Sequence, residues 1–199
     1  MRVADPDSFR WKEATGSIEA GDVTKALFLF TELDRDGEHY ASTEIGHLYE
    51  VGGLGLARNY QEAAKWYRKA IFHLDDPFAN ARLGAMYYNG LGVTKDKKKA
   101  FEHLQKGETA NQPDALTMLG LYFLLGVDTQ PNLERAKVLF LAAANQGFVL
   151  AMFYLANTER RGRNYLAALR WRIRATVETF RIGLRYGKAD WRLAGLTQG

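Results

Sequence analysis

The sequence predicts an all-α protein: an α-α superhelix (α-solenoid) of stacked antiparallel helix pairs, about four repeats long, with divergent capping helices at its ends. Three observations predict it. First, a skeleton of small, aliphatic and aromatic residues recurs as Ala41, Ile45, Gly46, Tyr49; Ala79, Leu83, Gly84, Tyr87; Ala115, Leu119, Gly120, Phe123; and Ala151, Leu155, Ala156, with central positions 38, 36 and 36 residues apart. Second, another set follows in phase, Ala63, Ala100, Ala136 and Ala168, preceded by Ala26 in an N-terminal half-repeat. Third, both sets use offsets of three and four, which stack side chains on one face of an α-helix. The period therefore holds two different helices.

Each element follows from its residues. The pattern AxxxLGxxY puts Ala, Leu and the aromatic on one face, and the Gly or Ala beside Leu lets a neighbouring helix come close. Small and turn-prone residues come next, as in Gly90-Leu91-Gly92-Val93 or Gly126 with Asp128 and Pro131, and stop the first helix. The second helix buries Ala63, Trp66, Tyr67 and Ala70 in one repeat, Ala100 and Leu104 in the next, then Ala136, Leu139, Phe140 and Ala143, then Ala168, Trp171 and Ala175. Neither helix can bury its apolar face alone, so successive hairpins must stack.

In chain order, the residues before Gly21 are expected to form a divergent first helix, with Phe9 and Trp11 covering the end of the core. Asp22 caps the helix that follows, Val23 to Leu33 supplies its apolar face, and Asp34 to Glu38 reads as a charged turn. Asp75-Asp76-Pro77 and Gln112-Pro113-Asp114 are helix entries, with proline suited to the first turn. No low-complexity linker divides the chain, which predicts one helical-repeat domain over residues 1–199: a cap and half-repeat at 1–36, repeats at 37–76, 77–112, 113–147 and 148–176, and a basic cap at 177–199. In that cap, Ile182-Gly183-Leu184-Arg185-Tyr186 echoes the signature, and Phe180, Leu184 and Trp191 are expected to pack on the last repeat.

These residues resemble the Sel-one-like repeat family, relatives of the tetratricopeptide repeat. LGAMYYNGLGVTKDKKKA matches that family's LGxxYxxGxGVxxDxxKA run in full; IGHLYEVGGLGLARNYQEAAKWYRKA matches with one extra loop residue and the WYxKA ending at Trp66 to Ala70. LGLYFLLGVDTQPNLERAKVLFLAA keeps the spacing but loses the second loop Gly, and the fourth unit is degenerate, with Glu159 where an aromatic belongs and a shortened loop at Gly162 to Tyr165. The resemblance implies a concave groove lined by residues six and three before the Gly and one and four after it. On this chain those are Tyr40, Thr43, His47, Glu50; Phe78, Ala81, Ala85, Tyr88; Asp114, Thr117, Leu121, Leu124; and Leu150, Phe153, Asn157, Arg160. Tyr40, Phe78, Tyr88, Leu121, Leu124 and Phe153 then form an apolar track, with Glu50 toward one end and Arg160 toward the other. A contiguous apolar patch of that kind marks a binding site, and an extended peptide or amphipathic helix would lie along it. The competing expectation is that tighter packing or the C-terminal segment closes the groove.

Charge is uneven. Thr158 to Gly199 holds nine Arg and one Lys against Glu159, Glu178 and Asp190, a net of about +7, whereas the rest sums to about −3. Three readings follow for Arg161, Arg163, Arg170, Arg174, Arg181 and Arg185: the polar outer face that a terminal solenoid helix needs, a docking surface for an acidic protein, or a contact for nucleic acid or an anionic membrane. Cysteine is absent, which excludes a disulfide framework and thiolate metal sites. The opening MRVADPDSFRWKEA shows no apolar run, so a cytoplasmic protein without a leader is expected. Val138 to Ala156 is uncharged and about as long as a membrane span, but Asn145-Gln146-Gly147 falls where the repeat register ends a helix, which argues for a buried hairpin and no transmembrane segment.

Catalytic signatures are missing. His39, His47, His73 and His103 do not pair at metal-ligand spacing, and His103 takes the place of Trp66 in its helix, as a structural residue. There is no GxSxG elbow, no Walker-type loop and no cysteine nucleophile. Gly52-Gly53-Leu54-Gly55 sits at the repeat's loop, and Asp75-Asp76 at a helix entry that should face water. The expectation is a non-catalytic adaptor without metal or cofactor, binding a peptide or helix of a protein partner. A bacterial regulatory or toxin-neutralising (immunity) role is its sharper form. A nucleic-acid-binding protein using the Arg-rich end is the alternative, a repeat-scaffolded enzyme comes last, and oligomeric state is left open.

Overall fold

The computed structural model describes residues 8–127 and 130–186, with side chains to residue 182. Their regular structure is ten α-helices: α1 Phe9–Glu19, α2 Val23–Arg35, α3 Ala41–Val51, α4 Tyr60–Leu74, α5 Pro77–Asn89, α6 Lys97–Thr109, α7 Pro113–Leu125, α8 Leu133–Asn145, α9 Val149–Arg161 and α10 Tyr165–Tyr186. The chain forms two compact units, residues 1–106 and 107–199, the division falling inside α6.

Polar caps start these helices where the sequence places them. The carboxylate of Asp22 accepts from the Lys25 amide at 3.0 Å and that of Asp76 from Ala79 at 2.9 Å, while Asn59 accepts from Gln61 and Glu62 and Asn132 from Arg135. Pro77 and Pro113 take first-turn positions, where no amide donor is needed. In the first unit α1 packs on α2, α2 on α3, α3 on α4 and α4 on α5, and α3 also touches α5 directly. In the second unit α7 packs on α8, α8 on α9 and α9 on α10, and α7 touches α9. Each unit thus sets the first helices of its repeats side by side, backed by the second helices.

The glycine of the LG pair is a packing residue. A Cβ on Gly120 would lie 2.5 Å from the Phe140 ring, and one on Gly84 would lie 2.8 Å from Leu104, so the first helix meets the second at contact distance. Gly92 serves a different purpose: its φ is +66°, and a Cβ there would sit 2.2 Å from the backbone of Tyr60, so the loop closes on the start of α4 in the preceding repeat.

Several expectations are corrected. Trp11 does pack edge-on against Phe30, with ring centroids 5.3 Å apart, but Phe9 points away and is 80% exposed. Asp34 is no turn residue: it lies inside α2, buried, accepting from the Ser42 hydroxyl at 2.5 Å and pairing with Lys69. Of the two entry acids only Asp75 faces water, while Asp76 is buried and also accepts from the Thr43 hydroxyl at 2.9 Å. α10 runs unbroken from Tyr165 to Tyr186, so the boundary between 176 and 177 cuts through a helix. Phe180 does not pack on the last repeat and is 68% exposed; the side chains of Leu184 and Trp191 lie outside the described residues. The uncharged stretch is split, α8 ending at Asn145 and α9 starting at Val149, and no helix among the described residues is long and apolar enough to cross a membrane.

Candidate partner-binding faces

The first unit's face is built by α3 and α5. Tyr40, at the entry to α3, is 41% exposed; His47, Glu50, Phe78 and Tyr88 are half-buried. Its centre is polar. The Glu50 carboxylate accepts from Arg82 Nε at 3.0 Å and from the second guanidinium edge through Nη2, a forked pair between neighbouring repeats. From behind, the buried Tyr67 of α4 donates its hydroxyl to the same carboxylate at 2.7 Å. Burial raises the Glu50 pKa, but the Arg82 charge and the hydrogen bonds from Arg82 and Tyr67 outweigh it, so the carboxyl titrates below its ordinary range. Burial, then the Arg82 charge, lowers the pKa of His47, which lies edge-on to Phe78 at 6.2 Å between centroids and is neutral at pH 7. Burial, then the Asp76 charge, raises the pKa of Glu44 on the same face.

The second unit's face, from α7 and α9, is apolar. Leu121, Leu124 and Phe153 are half-buried, and Asn157 and Arg160 are exposed at its edge. Arg160 and Arg161 end α9, where cations suit the carbonyl-rich terminus.

The position three before the Gly does not face outward in three of the four repeats: Thr43, Ala81 and Thr117 are buried, and the Thr43 and Thr117 hydroxyls are used internally. Glu50 is no free charge at the end of a track, because Arg82 neutralises it. Arg82 and Glu44, two residues before their glycines, belong to the face although the family pattern omits that position; opposite charges one repeat apart, Glu50 and Arg82, were the available signal.

Of the basic candidates, Arg161, Arg163, Arg170, Arg174 and Arg181 are exposed, Arg174 lying over the Trp171 ring at 5.2 Å and Arg181 pairing with Glu178 at 3.9 Å; the Arg185 side chain lies outside the described residues. Arg170, Arg174, Arg181 and Arg185 share α10 with exposed apolar residues that no repeat pattern requires.

The histidines do meet in space, but not as ligands. His39 and His73 stack face to face at 3.8 Å, so their in-plane lone pairs cannot converge on one ion. His103 stacks on Tyr87, and its Nδ1 lies 2.9 Å from the side-chain amide oxygen Oδ1 of Asn80, whose amide nitrogen donates to the Asp76 carbonyl, so that Nδ1 is the donor. Among the described residues no group of three or more His, Cys, Asp or Glu could hold a metal ion.

Stacked helix pairs with close Gly contacts and loop glycines locked on the preceding repeat define a tetratricopeptide-like helical-repeat protein. The Sel1 repeat model matches residues 39–71, 77–111 and 113–148, just over half of the chain, and the protein belongs to that family. The structure is similar to a Sel1 repeat protein from Oxalobacter formigenes at 26% identity and a TM-score of 0.72, over 84% of this chain and 69% of that one. An immunity protein from Pseudomonas aeruginosa shares the fold at 22% identity and a TM-score of 0.63, over 89% and 68%. By sequence, the alginate biosynthesis protein AlgK of Pseudomonas syringae pv. tomato is 34% identical over 119 residues, 60% of this chain and 24% of that protein. The chain spans a quarter or less of the length of the curated relatives it matches.

Proposed function

We propose that the protein is a non-catalytic adaptor that captures a peptide or helix of a partner protein on the faces formed by α3 with α5 and by α7 with α9. One observation carries the reading: Leu121, Leu124 and Phe153 stand half-buried on adjoining first helices, with Asn157 and Arg160 exposed on the second of them. A face of that kind gains from being covered. The paired Glu50 and Arg82 give the other unit a fixed polar element that aligns a partner more than it tightens one.

The test is affinity capture from the native lysate, nuclease-treated and washed at moderate salt. Wild-type protein should retain one stoichiometric protein, and the Tyr88→Glu, Leu124→Glu double variant should lose it while keeping its helical content and melting temperature. Loss of folding in each single variant would place these residues in the core and sink the reading. Capture of nucleic acid alone, with steep salt dependence, would replace it with the basic-end alternative. If the captured protein is a toxin that the chain neutralises, the adaptor is an immunity protein, the role the Pseudomonas aeruginosa neighbour's name carries.

A further inference from the structure

The outer side of α10 carries an apolar stripe that none of the described residues covers. Leu166, Ile173 and Phe180 follow one another at heptad spacing with Leu169 and Val177 in the intervals, and they are 73%, 56%, 68%, 55% and 56% exposed. The helix is already satisfied elsewhere: Ala168, Ala175 and Ile182 are buried and α10 packs on α9. At about 100° per residue, Ile173 lies roughly 160° around the helix from Ala175, so the stripe is on the opposite side.

We propose that this stripe seats one further helix, an acidic amphipathic helix of a partner protein, independently of the faces on the first helices. The spacing selects the shape. A line of side chains three and four residues apart, running about 21 Å from Leu166 to Phe180 at 1.5 Å per residue, is the seam on which a second helix packs. Charge selects the chemistry. Arg170, Arg174 and Arg181 line one edge of the stripe and Arg172 stands beyond the other, while the sole acid of α10, Glu178, already lies 3.9 Å from Arg181.

The same edge disfavours the other occupants. An antiparallel second copy brings like edges together, setting Arg170, Arg174 and Arg181 against themselves. Residues 187–199 carry Lys188 and Arg192 against Asp190 and offer cations to cations. Four of the five stripe residues are aliphatic, and the single ring of Phe180 gives successive nucleic-acid bases no stacking track.

The experiment uses the full chain and two labelled synthetic peptides, each about three heptads of helix with leucine at the seam positions and either glutamate or lysine on both flanks, followed by fluorescence anisotropy at low salt. The glutamate peptide should bind at least about tenfold more tightly than the lysine peptide. Ile173→Asp should abolish that binding with helicity and melting unchanged, and Arg170→Glu with Arg181→Glu should reverse the preference. Equal affinity for both peptides, binding that survives Ile173→Asp, or no binding of the glutamate peptide overturns the proposal. So does a dimer in light scattering, or binding to phosphatidylserine vesicles, that Ile173→Asp removes.

Discussion

The two units build the same layer from the same repeat, yet finish it differently. On α3 and α5 the exposed side is organised by ionised groups, Glu50 held by Arg82 and Tyr67, with neutral His47 beside Phe78. On α7 the positions of His47 and Glu50 are taken by Leu121 and Leu124, and Phe153 of α9 stands half-buried where Thr43 and Ala81 are buried. A repeat fixes where a side chain stands and leaves its chemistry free. One face therefore contributes to its own unit's stability through an ion pair, while the other presents half-buried apolar side chains.

The largest expected effect tests the first half of that contrast. Arg82→Met leaves the Glu50 carboxylate half-buried without its counterion, and should cost about 2–3 kcal/mol in denaturant unfolding, below the 3–5 kcal/mol typical of fully buried pairs because both side chains keep some solvent. Adding Glu50→Leu should restore most of that loss. A loss of under about 0.5 kcal/mol in the single variant would show the pair to be incidental.

Acid should act through the same face. Glu50 and His47 both have depressed folded-state pKa values, so each contributes stability that is present above its unfolded value, about 4.3 and 6.5, and is lost as pH falls through the folded one. Glu44 is opposite in sign: its raised pKa favours the protonated form, so it stabilises at low pH and loses that contribution as pH rises. Melting curves should therefore show wild type losing stability below about pH 6.5, with the His47→Gln variant flatter between about pH 6.5 and 5. Glu44→Gln should melt above wild type at pH 7 and no higher than wild type at pH 3.

The smallest effect on stability belongs to the second face. Leu124→Glu should change unfolding by no more than about 1 kcal/mol, since the side chain is only half-buried. A loss of 3 kcal/mol or more in calorimetry would erase the distinction between the faces.

Helix number and phase were legible because burial enforces them, Gly46, Gly84 and Gly120 each sitting against a side chain of the second helix, and Asp22 and Asp76 cap at the helix entries read from the sequence. The site was less legible because solvent-facing positions obey no such constraint. The family pattern named Thr43, Ala81 and Thr117 as facing outward, but at that offset the side chain turns into the helix interface, while Arg82, one residue further, turns out. From the sequence, Phe9 is expected over the end of the core and Phe180 against the last repeat, yet both stand on helices with one face left uncovered among the described residues.

The adaptor account rests on which side of the repeats meets the partner, and site-specific photo-crosslinking reads that directly. A benzophenone residue would replace Leu124 on the face of α7 in one sample and Leu141 on α8, 42% exposed, in another, each irradiated in native lysate. The account predicts one dominant protein adduct from position 124 and none from 141. Adducts of equal yield from both positions, or from 141 alone, would contradict it.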